Sequence, residues 1–186
     1  MDVLFSKHVV SELKKFPKVS VDHADLKKMD ESVCEQYGVP NITKLHDIFD
    51  ARSYYEKYRT RAMSEAAVEK LLGIKFIDWH KKERIRNDKA VLRIDNIVLE
   101  IVGVRYGELP IIYNDTGKKI IICIVREKRE VTIAGYVDLS DKKIKLLPIK
   151  NSPVTGSFKK LGTFQSFDQI LPFSSYEELK NIILKK

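Results

Sequence analysis

The sequence predicts an α+β domain, with helices first and a mixed or antiparallel sheet after them. Three observations carry this expectation. Apolar residues recur at helical spacing through the first half of the chain. The second half is built of short runs of Ile and Val separated by turn signals. The chain has 186 residues, 44% of them hydrophobic and 32% charged, which is the size and composition of one globular domain rather than a disordered chain.

The elements follow in order. Phe5 to Phe16 carries Val9, Val10, Leu13 and Phe16 at helical spacing, and Pro17 ends it. Residues 17–43 are polar and irregular, with short helices expected near Asp25–Met29 and Ser32–Tyr37. Gly38-Val39-Pro40-Asn41 is a turn signal, and Asn41 or Thr43 is placed to cap a helix running to Phe49. Residues 53–72 form the clearest helix, with Ala62, Ala66, Ala67, Val68, Leu71 and Leu72 on one stripe and Gly73 at its end.

Beyond it, Lys89–Ile94, Asp95-Asn96 and Ile97–Val104 read as a hairpin. Ile111–Tyr113, the turn Asn114 to Gly117 and the apolar run Ile120–Val125 come next. The charged patch Arg126–Glu130 reads as a second turn, with Val131–Val137 as the returning strand. Lys143–Ile149 is expected as an edge strand, its lysines blunting the edge. Residues 150–168 read as loop, and Tyr176–Leu184 as a terminal helix capped by Ser174 or Ser175. The domain organisation expected is a helical N-terminal extension over 1–50 and a core with a C-terminal helix over 51–186.

Composition narrows the partners. There are 34 Lys plus Arg against 26 Asp plus Glu, a net charge of +8, which suits a polyanion, and nucleic acid is the commonest. A solvated lysine-rich surface is the alternative. No apolar run reaches the ~18–20 residues of a membrane-spanning helix, so no membrane partner is expected. The start, MDVLFSKHVV, has too short an apolar stretch for a signal peptide. Cys34 and Cys123 lack metal-like spacing, and His8, His23, His46 and His80 form no pair on one helix face. The expected location is the reducing cytoplasm, of a host if the protein is viral. Abundant Ile and Lys with few Gln and Cys match a bias seen in thermophile proteins. Neither Gly-x-Gly-x-x-Gly nor a Walker pattern is present.

Three acids stand out by context. Glu65 shares a helix face with Val68 and Leu72. Asp88 opens the first strand. Glu100 sits within Ile97–Val104, flanked by apolar residues. A carboxylate in an apolar strand costs several kcal/mol unless it is paired, metal-bound or protonated. Glu100 therefore has two readings: an ion pair or solvated strand face, or a ligand to a divalent cation. Mg²⁺ takes a few carboxylates plus water and phosphate oxygens, and a bound metal activates water against a phosphodiester.

The order Ser64-Glu65-Ala66-Ala67, Asn87-Asp88, then a hairpin into Glu100-Ile101-Val102 resembles the PD-(D/E)XK nuclease superfamily. Lys118-Lys119 leading into Ile120–Val125, and then Val131–Val137, resemble the remaining core strands of its small viral and phage members. The resemblance covers about residues 53–140. It implies a restriction-endonuclease-like core and a metal-dependent endonuclease acting on DNA with Mg²⁺ or Mn²⁺. Glu65, Asp88 and Glu100 would be the metal ligands. It also implies a homodimer, since two duplex strands need two sites.

Two residues depart from the pattern. Asn87 stands where the family has Pro, and Val102 where it has the Lys that orients water and offsets phosphate charge. Lys89 is the candidate replacement. If Asp95-Asn96 is a two-residue turn, Lys89 faces Val102 and Asp88 turns to the other face; a three-residue turn reverses this. Lys81, Lys82, Arg84 and Arg86, just before Asp88, read as a DNA-facing run. Arg59 and Arg61, interleaved with Tyr54, Tyr55 and Tyr58, either contact phosphates and bases or decorate a helix whose tyrosines pack on the sheet. A nuclease-like fold that binds without cutting, and a viral structural or assembly protein, are the competing functions.

Overall fold

The computed structural model describes residues 3–45, 51–79, 90–113, 117–148, 161–164 and 166–185. It is an α+β protein, as expected. The helices are α1 (Val3–His8), α2 (His23–Tyr37), α3 (Ile42–Leu45), α4 (Ala51–Leu72) and α5 (Tyr176–Leu184). The strands are β1 (Lys18–Ser20), β2 (Leu92–Ile94), β3 (Ile97–Arg105), β4 (Ile112–Tyr113), β5 (Lys119–Val125), β6 (Glu130–Asp138), β7 (Leu146–Pro148) and β8 (Leu161–Phe164).

A five-stranded sheet in the order β1-β6-β5-β3-β2 forms the centre, and a three-stranded sheet β4-β8-β7 accompanies it. β3 and β5 are parallel, and the other pairs of the large sheet are antiparallel. β2 and β3 pair as Ile94 with Ile97 and Leu92 with Leu99. Asp95-Asn96 is therefore a two-residue turn, with the left-handed conformation on Asp95 (φ 52°).

Each face of the large sheet buries its own core. On one face α2, α4 and α5 cover Leu99, Ile101, Ile121, Cys123, Val131 and Ile133. On the other, Phe5, Val9, Leu13 and Phe16 join Phe164, Phe167 and Ile170 over Ile120, Ile122 and Ile124. Burial on both faces explains why β5 reads as an unbroken apolar run rather than an alternating one. Successive strand residues point to opposite faces, so the odd positions of β3 face α4. Gly103 lets the helix come close there: a Cβ on it would lie 2.2 Å from Ser64 Oγ and 3.0 Å from the Thr60 carbonyl oxygen.

β6 changes its inward set part-way. Ile122 pairs with Gly135 but Cys123 pairs with Ile133, which leaves Ala134 as the extra residue of a bulge. Before it, Val131 and Ile133 face α4; after it, Tyr136 does. Gly135 holds φ 128°, and a Cβ there would stand 2.3 Å from the Leu171 carbonyl oxygen.

The N-terminal segment, expected as a helical extension, also supplies edge strand β1 and packs into both cores. The two short helices expected within 17–43 are one helix, α2, closed by Gly38 in the left-handed conformation. Strand β8 falls in the part expected to be loop. Asn41 Oδ1 does cap α3, accepting from the Lys44 N–H, and Ser175 Oγ caps α5, accepting from the Glu178 N–H. Among the described residues no helix is long and apolar enough to cross a membrane.

Candidate functional site

Glu65 lies in the middle of α4, on the helix face that meets the sheet, and is 1% exposed. Its Oε1 accepts the Ala90 N–H at 3.1 Å and lies 4.0 Å from Arg61 Nε. Burial pushes the neighbouring Cys123 thiol pKa up, and the Glu65 carboxylate adds to that shift. Glu65 is thus a helix carboxylate tied to the chain just before β2.

Glu100 has the opposite strand parity. Leu99 and Ile101 on either side of it face α4, so Glu100 projects from the other face, beside Val102 and Val104. Its side chain is 26% exposed, and Oε2 lies 3.4 Å from Lys118 Nζ. The ion-pair reading of this residue accounts for its presence in an apolar strand. Glu65 and Glu100 are not brought together. Among the described residues no group of three His, Cys, Asp or Glu side chains is placed to hold a metal ion. Asp88 and Lys89, and the basic run Lys81, Lys82, Arg84 and Arg86, lie outside the described residues.

The tyrosines of α4 turn inward. Tyr58 is buried, and Tyr54 and Tyr55 pack against the same core. The Tyr55 hydroxyl donates to Asp30 Oδ1 at 2.5 Å, and burial, then that bond, raise its pKa. Arg61 sits 5.6 Å over the Tyr58 ring and near Glu65, mostly covered. Arg59, in contrast, is exposed and makes no hydrogen bond or ion pair among the described residues.

Arg59 opens onto a cleft of about 970 Å³. One wall is α4, through Tyr55, Glu56, Arg59, Thr60 and Met63. The floor is the carboxyl end of β3 (Arg105, Tyr106) beside that of β5 (Val125, Arg126), and the far wall is the turn into β6 with Arg129 and Glu130. The Tyr106 N–H donates to the Val125 carbonyl at 2.8 Å, carrying the parallel ladder one step past β3. A crevice at the carboxyl ends of parallel strands is where open sheets with helices over a face bind ligands. No family model, curated protein or solved structure matches this chain. The site is therefore read from its own geometry.

Four arginines line the cleft, and they differ in how far they are committed. Arg105 is held at 3.0 Å by Glu56 and at 2.8 Å by Glu108. Arg126 lies 4.4 Å over the Tyr106 ring, and Phe5 meets the same ring edge-on at 5.2 Å. Its nearest carboxylate oxygen, on Glu130, is 3.7 Å away, and its Nε is buried without an acceptor. Arg129, which holds φ 73° in the β5–β6 turn, makes no side-chain hydrogen bond or close ion pair among the described residues, though its charge helps to lower the Asp22 pKa. Glu127 and Glu130 are the acids on this side, and Glu130 is also 3.5 Å from Lys18.

Of the residues lining this cleft the sequence pattern singles out Arg59, and it does not point to Arg105, Tyr106, Arg126 or Arg129. Their signal was the same in both places: an arginine directly after a run of Ile and Val. Nothing short of the parallel pairing of β3 with β5 reveals that the two runs end side by side.

Proposed function

We propose that this protein is a nucleic-acid-binding module on a restriction-endonuclease-like α+β core, and that it holds DNA without hydrolysing it. The observation that carries this reading is the cleft at the ends of β3 and β5, where Arg59, Arg126 and Arg129 present guanidiniums with no hydrogen-bonded acceptor among the described residues. Guanidinium groups suit phosphate oxygens and base faces alike. The charge of +8 supplies long-range attraction to a polyanion. The divergence of Glu65 and Glu100, and Val102 in place of a lysine, argue against metal-assisted hydrolysis at that pair. Among the described residues no group of three His, Cys, Asp or Glu side chains is placed to hold Mg²⁺ or Mn²⁺.

The second reading is a metal-dependent endonuclease. Glu65 favours it, because it is a buried carboxylate that accepts the N–H of Ala90, which follows Asp88 and Lys89 in sequence. One experiment separates the two. Labelled single-stranded, duplex and branched DNA are titrated with protein at 50 and 200 mM salt, then incubated with Mn²⁺. The binding reading expects salt-sensitive affinity and intact DNA. Mn²⁺-dependent cleavage that is lost in Glu65→Gln replaces it with the endonuclease, and absence of any affinity at low salt removes both.

A further inference from the structure

We infer that the cleft between α4 and the ends of β3 and β5 is a single-strand subsite, in which Arg126 stacks an unpaired base while Arg59 and Arg129 take the flanking phosphates. This rests on the nucleic-acid reading above and adds the strand state of the ligand and the role of each arginine.

The roles follow from how each guanidinium is held. Arg126 sits over Tyr106, whose edge meets Phe5, so its position is braced from below and its stacking costs little ordering. A guanidinium over an aromatic ring continues the stack, and an unpaired base adds the next layer. Arg59 and Arg129 lie on opposing walls, one on α4 and one in the β5–β6 turn, and neither makes a side-chain hydrogen bond or close ion pair among the described residues, Arg129 feeling only the charge of Asp22. Those are the positions from which a backbone running along the cleft is gripped on both sides. Arg105 is not assigned this role, because Glu56 and Glu108 already engage its guanidinium.

Strand state follows from shape. The cleft volume of about 970 Å³ is near the upper end of the roughly 300–1,000 Å³ typical of enclosed ligand sites. That admits a few unstacked nucleotides. A duplex keeps its bases inside a rigid cylinder whose major groove alone is about 12 Å wide, so it cannot offer a base face to Arg126. The cleft also carries Glu56, Glu108, Glu127 and Glu130.

The test is fluorescence anisotropy with a labelled ten-nucleotide oligothymidylate and a duplex of equal length, across a salt series. The proteins are wild type, Arg126→Ala, the double variant Arg59→Ala/Arg129→Ala, and Lys27→Ala on the exposed face of α2 as control, each checked by thermal melting. Single-strand affinity is expected to fall at least tenfold in Arg126→Ala with the salt slope unchanged. In the double variant it falls with a slope shallower by about 1.4, at roughly 0.7 per phosphate contact on single strands. Lys27→Ala is expected to match wild type. Should Arg126→Ala misfold, the change of slope in the double variant still decides. Unchanged single-strand affinity in folded variants overturns the subsite while leaving nucleic-acid binding elsewhere intact. Tighter duplex than single-strand binding overturns the strand assignment. Absence of binding to either probe removes the nucleic-acid reading itself.

Discussion

Glu65 and Glu100 lie on opposite faces of the central sheet: Glu65 on α4, which covers one face, with the Ala90 N–H on its Oε1, and Glu100 projecting from β3 on the other, with Lys118 3.4 Å from its Oε2. Their energetic roles differ accordingly. Glu65 is sealed in; Glu100 is partly wet.

Replacing Glu65 with Ala leaves the Ala90 N–H without its acceptor and removes the carboxylate beside Arg61, and is expected to cost about 2–4 kcal/mol. Glu100→Ala removes one partly exposed ion pair and is expected to cost about 1 kcal/mol or less. Urea unfolding of both variants checks this. Equal losses would mean that the two carboxylates share an environment, against the geometry.

The approach of α4 to β3 depends on Gly103. Gly103→Ala sets a methyl 2.2 Å from Ser64 Oγ, and the expected loss is about 1–3 kcal/mol. Adding Ser64→Ala removes the nearest atom and is expected to return part of that loss, a non-additive pair that a double-mutant cycle in urea measures. Strict additivity would place the strain somewhere else.

Gly135 and Gly117 both hold positive φ, at 128° and 100°. A Cβ on Gly117 meets nothing within 4 Å, whereas on Gly135 it meets the Leu171 carbonyl. Alanine is strained at both positions. The bulge variant Gly135→Ala is expected to melt well below Gly117→Ala. Matching melting temperatures would show that the bulge yields without cost.

Asp138 sets a pH dependence. Burial alone would raise its pKa, but the Lys119 ammonium at 2.5 Å and the Ser140 hydroxyl and N–H hold it down to about 2, from the ordinary 3.8. A folded pKa below the unfolded one gives stability that is full above about 3.8 and is lost as pH falls towards 2. The contribution is about 2 kcal/mol. Wild type is expected to lose more stability than Asp138→Asn between pH 4 and pH 2, measured by denaturant midpoints. Parallel curves would mean that the ion pair is absent in solution.

Much of the local structure was legible in the residues. Gly73 after a stripe of Ala, Val and Leu predicts the end of α4, and Ser175 before Tyr176 predicts the start of α5, because caps and periodicity act within a turn or two of chain. Asp95-Asn96 marks the hairpin for the same reason. β1 and β8 escaped because each is short and is stabilised only by its neighbours: Val19 by β6, and Phe164 by the second core.

What the sequence by itself determined is most of the helices and strands, the excess of positive charge, and the presence of a carboxylate in β3 that needed a partner. What only the tertiary structure decided is which partner it took and which side of the sheet it occupies. A strand's period of two fixes that Glu100 opposes Leu99 and Ile101, yet says nothing of which set the helix will cover. That choice belongs to the docking of α4 over Gly103. The arginine cleft is likewise a product of β3 and β5 ending together, a long-range pairing that no local pattern encodes.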